Sequence, residues 1–310
     1  MKFNRILLVV VSLALIVFAL AGCGKDTAQD SQKKLNVVAT TTMLTDLVKE
    51  IGGDHVTVQG LMGPGVDPHL YQASAGDVTA MSKADVVVYN GIHLEGKMGS
   101  IFDNLTKQNK ATIRVSDAID PTTLLDFDEE EPKDPHIWFD VANWKLAAKA
   151  VYEGLAKADP THKEDYKKRY DAYLTKLDET DAYVKAQAES IPKESRVLVT
   201  AHDAFQYFAR AYGFEVKGLQ GVSTATEAGT QDVNNLVQFI VDHKIKAIFV
   251  ESSVPHKTIE AVQEAAKAKG WNVSIGGELY SDSLGSEGTE GGTYIGMVKA
   301  NIDTITKALK

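Results

Sequence analysis

From Val141 to Ser190 nearly every residue favours a helix, and only Asp159-Pro160 interrupts the run. Proline lacks an N–H and restricts the residue before it, so the break belongs there. Residues 161–190 alone would form a helix about 45 Å long at ~1.5 Å per residue. Tyr166, Tyr170, Tyr173, Leu174 and Leu177 recur at three- and four-residue spacing, which gives that helix one apolar face. A rod of this length constrains everything around it, and the reading is a rigid strut between two bodies. On either side the pattern changes. Short β-branched runs at 35–41, 55–62, 85–90 and 111–116 precede it, and others at 196–200, 214–219, 246–250 and 271–275 follow. Helical patterns alternate with them, at 43–51, 74–84 (with Ser74 as N-cap), 203–212, 231–243, 256–269 and 293–309. Such alternation predicts parallel sheets with helices on their faces. The expected fold class is α/β, with two parallel-sheet lobes, 35–160 and 191–310, joined by the long helix 161–190.

The N-terminus is of another kind. Lys2 and Arg5 precede an uncharged apolar run from Ile6 to Ala21. The run is short for a membrane span and sits behind a basic tip, so residues 1–22 read as a secretory signal. It ends in Leu20-Ala21-Gly22-Cys23, which resembles the bacterial lipobox, and Cys23 is the chain's single cysteine. That resemblance implies a lipidated Cys23, a polar tether over 23–34, and a protein held at the membrane surface without spanning it. No second apolar run of that length follows. The net charge is −9, with no Lys/Arg-rich stripe, which argues against nucleic acid as a partner. An acidic body suits a protein that meets cations.

The chain has 8 prolines and 8 histidines, yet the word Asp-Pro-His occurs twice, as Asp67-Pro68-His69 and Asp134-Pro135-His136. Asp-Pro commonly opens a turn, so the word alone assigns no function. In parallel α/β sheets, ligands bind beyond the carboxyl ends of the strands. His69 follows the run 55–62, His202 follows 196–200, and Glu251 follows 246–250. Asp282 follows 271–275 after a glycine pair. With His136, this places two histidines in the first lobe and a histidine with two carboxylates in the second. Imidazoles and a carboxylate from separate loops can form a divalent transition-metal site. Simpler roles exist for two of them: His202 beside a helix-capping Asp203, and Asp282 in a turn. The other histidines, 55, 93, 162, 243 and 256, read as solvated, with His93 alone close behind a strand. H-E-x-x-H, G-x-S-x-G and a phosphate-binding glycine loop are all absent, which weighs against a secreted zinc hydrolase using the three histidines with Glu251 as base.

The lipobox, the doubled D-P-H, T-A-H-D-A-F-x-Y-F at 200–208 and Y-S-D at 280–282 together resemble the metal-binding lipoproteins of ABC importers. These are the cluster A-I zinc/manganese solute receptors, and the likeness spans the whole mature chain. It implies a metal between the lobes held by His69, His136, His202 and Asp282, with Glu251 orienting a ligand imidazole. Four protein ligands with a bidentate Asp282 would leave no position for an activated water, so the implied role is capture, not catalysis. The partners implied are an ABC permease and its cytoplasmic ATPase, met by a monomer anchored outside the cytoplasm, with a Gram-positive surface favoured over a periplasm. A siderophore or corrinoid receptor on a similar frame would need an aromatic, arginine-lined pocket instead. For the cargo, the signs divide. The family's manganese receptors often carry Glu at the position of His202. Its zinc receptors commonly carry a His-rich loop, whereas the segment 126–134 is acidic and lacks His. They also tend to show E-P-[ST] where this chain has Glu227-Ala228-Gly229-Thr230. The expectation is Mn(II) first, Zn(II) second and Fe(II) third, with release by shifted ligand loops because the strut limits hinge motion.

Overall fold

A computed structural model describes residues 34–127 and 133–310. The leader, Cys23 and most of the tether lie outside the described residues, as does the middle of the acidic segment.

The first sheet has the order β2-β1-β3-β4, all parallel. Its strands are β1 (Leu35–Ala39), β2 (Val56–Gly60), β3 (Val86–Tyr89) and β4 (Thr112–Arg114). Val37, Ala39, Val86 and Val88 point into one apolar cluster, and Val38, Val87 and Tyr89 into another. Burial on both faces explains why these runs read as continuously apolar. The connecting helices are α1 (Thr42–Gly52), α2 (Ala75–Lys83) and α3 (Gly99–Lys107). Ser74 caps α2 as expected, in a reciprocal pair with Asp77. Helix α3 has no counterpart in the sequence reading, because it starts at Gly99-Ser100 without a side-chain cap to announce it.

The helix-rich middle divides at the predicted place into α4 (Val141–Ala158) and α5 (Lys163–Glu189). Helix α5 buries Tyr166, Tyr173, Leu177, Thr180, Val184 and Ala188, a stripe at helical spacing. Tyr170 and Leu174, read as part of that face, lie at its half-buried edge. The stripe packs against α1, α4 and the C-terminal helix α9 (Tyr294–Leu309). One apolar cluster thus runs from β1 through α5 to α9.

Beyond α5 come β5 (Val197–His202), α6 (Gln206–Tyr212), β6 (Glu215–Gln220) and α7 (Thr230–Asp242). They are followed by β7 (Ala247–Glu251), α8 (Lys257–Ala268), β8 (Ser274–Leu279) and α9. Strands β5 and β6 pair in parallel, as do β7 and β8, and β5 lies beside β7. Strand β8 departs from the expected 271–275. The glycine pair that looked like a break lies inside the strand, where the register shifts by one residue at Gly276. A Cβ there would sit 2.7 Å from Ala308 Cβ and 2.8 Å from the Phe249 ring, so α9 and β7 approach too closely for any side chain.

Candidate metal centre

Four side chains converge at the carboxyl ends of both sets of strands. His69 lies in the loop after β2, and His136 immediately before a short 3-10 turn, Ile137–Phe139. His202 is the last residue of β5, one step inside its expected place, and Asp282 lies three residues beyond β8. One ligand atom from each lies within 4.8 Å of all the others, and all four residues are buried. Among the described residues this is the one such group.

Adjacent donors are spaced as ligands of one ion would be. His136 Nε2 lies 3.4 Å from His69 Nε2 and 3.3 Å from His202 Nε2. Asp282 Oδ2 lies 3.2 Å from His202 Nε2 and 3.7 Å from His69 Nε2, and Oδ1 lies 3.4 Å from His136 Nε2. Four donors about 2.1 Å from a tetrahedral centre lie about 3.4 Å apart. Both Asp282 oxygens are buried with no hydrogen-bond partner among the described residues, a costly arrangement unless a cation supplies the missing contacts. The donor set therefore fits a divalent transition metal.

The ligand rings are held from behind. Glu251, the last residue of β7, takes the backbone N–H of His202 at 2.9 Å on Oε1 and faces ring Nδ1 at 2.6 Å with Oε2. Each Asp-Pro-His word folds as a turn in which the Asp accepts the N–H of its own histidine, at 2.8 Å for Asp67 and 2.9 Å for Asp134. The two then differ. Asp134 Oδ1 also meets His136 Nδ1 at 2.7 Å. Asp67 Oδ2 instead accepts from the Thr224 hydroxyl at 2.5 Å, joining the first lobe to the second. Sequence reading missed both roles. The repeated word was the available signal, but it could not say where the second carboxylate oxygen goes. Nor did it find Trp138, which sits edge-on to His136 and donates to the Ser281 carbonyl at 3.1 Å. His93 is exposed and stays outside the group.

Without a metal the centre is a charge network. Burial alone would raise the Asp282 carboxyl, but His202 and His136 outweigh it and hold it well below the usual carboxylate range. Burial would likewise lower His136, yet Asp134 and Asp282 carry it up to about 9. His202 is raised well above its ordinary value against burial, by Glu251 and Asp282. His69 goes the other way, because burial and the two neighbouring imidazoles outweigh Asp282 and push it down to about 3. The carboxylates thus favour the charged form of His136 and of His202 in the place a divalent cation would take.

Comparison with known proteins yields consistent matches. The family model described as "Zinc-uptake complex component A periplasmic" matches residues 37–308. The zinc-binding protein TroA of Treponema pallidum is 52% identical over 307 residues, covering 99% of this chain and 98% of that protein. The manganese-binding lipoprotein MntA of Bacillus subtilis is 49% identical over 294 residues, covering 94% and 96%. The solved structure of the periplasmic zinc-binding TroA superposes with a TM-score of 0.87 at 54% identity, over 89% of this chain and 99% of that one.

Proposed function

The chain belongs to the family of the periplasmic zinc-uptake complex component A, and from that membership we propose a receptor that captures Mn(II) and hands it to its permease. As a member it is the substrate-binding component of a metal ABC importer and not an enzyme. His69, His136, His202 and Asp282 are the proposed ligands, with Glu251 and Asp134 holding the rings of His202 and His136. The observation that carries this reading is the buried set of donors at 3.2–3.7 Å around the unpartnered Asp282 carboxylate. The proposal extends to the division at 35–160, 161–190 and 191–310, an acyl anchor on Cys23, a Gram-positive surface location and a monomeric receptor.

For manganese speak the relative named for it at 49% identity and the acidic segment 126–134 without histidine. Zn(II) is the second reading, favoured by the tetrahedral spacing, by three imidazoles, and by the relative named for zinc at 52%. The Irving–Williams order makes such a site bind Zn²⁺ more tightly than Mn²⁺ in any case, so availability in the host decides the cargo. Elemental analysis of protein purified from its native host, followed by Zn/Mn competition, tests the choice. One metal per chain is expected, and His69→Ala or Asp282→Ala should abolish tight binding. Retention of one tightly bound metal per chain in both variants would show that the ligands lie elsewhere.

A further inference from the structure

Glu95 is 3% exposed in the interior of the first lobe, and among the described residues its side-chain hydrogen bonds go to none of the four candidate ligands. Its carboxylate accepts three hydrogen bonds. Oε1 takes the Thr40 hydroxyl at 2.6 Å and the Asn90 N–H at 2.8 Å, and Oε2 takes the Gly91 N–H at 3.2 Å. Thr40 directly follows β1 and Asn90 directly follows β3, so one side chain ties together the ends of both central strands.

Both ligand loops of this lobe hang from those ends. The Asn90 side-chain amide donates to the Pro135 carbonyl at 3.0 Å, one peptide before His136. The Thr40 carbonyl receives the N–H of Met62 at 3.0 Å, at the foot of the loop that carries His69. The chain accepts an unfavourable backbone to place Glu95 there. Gly91, Ile92 and His93 take φ of 86°, 53° and 57° in succession, and a β-branched residue in that region is a true outlier. Strain of this kind persists only where the surroundings enforce it, and it clusters near functional sites.

We propose that Glu95 is a positioning residue for the metal centre: it fixes the ends of β1 and β3 and, through Asn90 and Pro135, the place of the His136 imidazole. It is the first lobe's counterpart of Glu251, acting at one remove. The inference rests on His136 being a metal ligand. A purely structural carboxylate, satisfying N–H groups that the strand ends leave over, would affect stability but not the metal's residence time.

The test is chelator-driven release of Zn(II) from the full-length protein, comparing Asn90→Ala, Glu95→Gln and Val262→Ala with the wild type. Val262 is buried in α8, in an apolar cluster that contains none of the four ligands, and its variant serves as a control for lost stability alone. Asn90→Ala and Glu95→Gln should speed release about tenfold, as loss of a ligand's supporting partner does, while Val262→Ala lowers Tm at an unchanged rate. Release from Asn90→Ala at the wild-type rate overturns the proposal, and that variant decides if Glu95→Gln does not fold. The His136 ring ¹⁵N signals of the metal-free protein give a second readout: exchange-broadened in Asn90→Ala if the proposal holds, unchanged if it fails. A wild type that binds no Zn(II) would overturn the receptor reading itself, and this inference with it.

Discussion

Proton and metal compete for the same nitrogen at His136. Its Nδ1 faces Asp134 at 2.7 Å, so the proton that keeps the ring cationic up to about pH 9 sits on Nε2, among the other donors. That proton must leave before a metal can bind. The sign follows from the raised pKa. Without metal, the charged His136 contributes stability fully present below its unfolded value of 6.5, and that contribution is lost as pH rises through about 9. Metal binding runs the opposite way, gaining about tenfold in affinity per pH unit across the same window for each proton expelled. The rise in Tm on adding Zn(II) should therefore be small at pH 6.5 and grow toward pH 9. Thermal unfolding with and without metal across that range checks it, and a Tm increment independent of pH would contradict the protonated state assigned to His136.

At the scale of an element, β8 shows how a strand can be dictated by residues far from it. Gly276 sits at the register shift, and Ala308 of α9 and Phe249 of β7 leave no room there for a Cβ. Gly276→Ala should cost about 1–3 kcal/mol, the usual penalty of overpacking, measured by urea unfolding of the metal-free protein. Stability equal to the wild type would mean that α9 yields freely. The same element marks the limit of what sequence could reveal. The alternation of β-branched runs, the helix break at Pro160 and the Ser74 cap are local signals, and the structure follows them. His69, His202, Glu251 and Asp282 were legible as a group because chemistry gathers at strand ends, whatever the register within each strand. Gly276-Gly277 misled because the reason for it is a contact with a helix some thirty residues on. The ring contact of Asp134 and the support from Glu95 were hidden for a related reason: both depend on where a side chain turns after the backbone is set.

Across the whole molecule, the question is what moves when metal leaves. A hinge at α5 would have to part the apolar cluster that joins Val37 and Val86 to Tyr173, Leu177, Leu198, Phe249 and Ile302. Exposing even ~400 Å² of it would cost about 10 kcal/mol at ~25 cal/mol per Å². The loops are held far more lightly. Asp67 meets Thr224, and Gly65 N donates to Ser283 Oγ at 2.8 Å. Leu284 N donates to Thr42 Oγ1 at 2.8 Å, and Tyr294 N to Asp46 at 2.9 Å. Each such bond contributes about 1 kcal/mol, as do those of Met62 N to the Thr40 carbonyl and of Trp138 to the Ser281 carbonyl in the same segments, so freeing the segments that carry His69 and Asp282 is the cheaper route. Structures with and without metal should then superpose as one body, with displacement confined to about 61–73 and 281–293. Thr224→Val combined with Ser283→Ala, which removes the two latches nearest the donors, should quicken chelator-driven release and leave the fold intact. A large rotation of one lobe against the other about α5, or release unaltered in the double variant, would show that the barrier lies in the core and not in the loops.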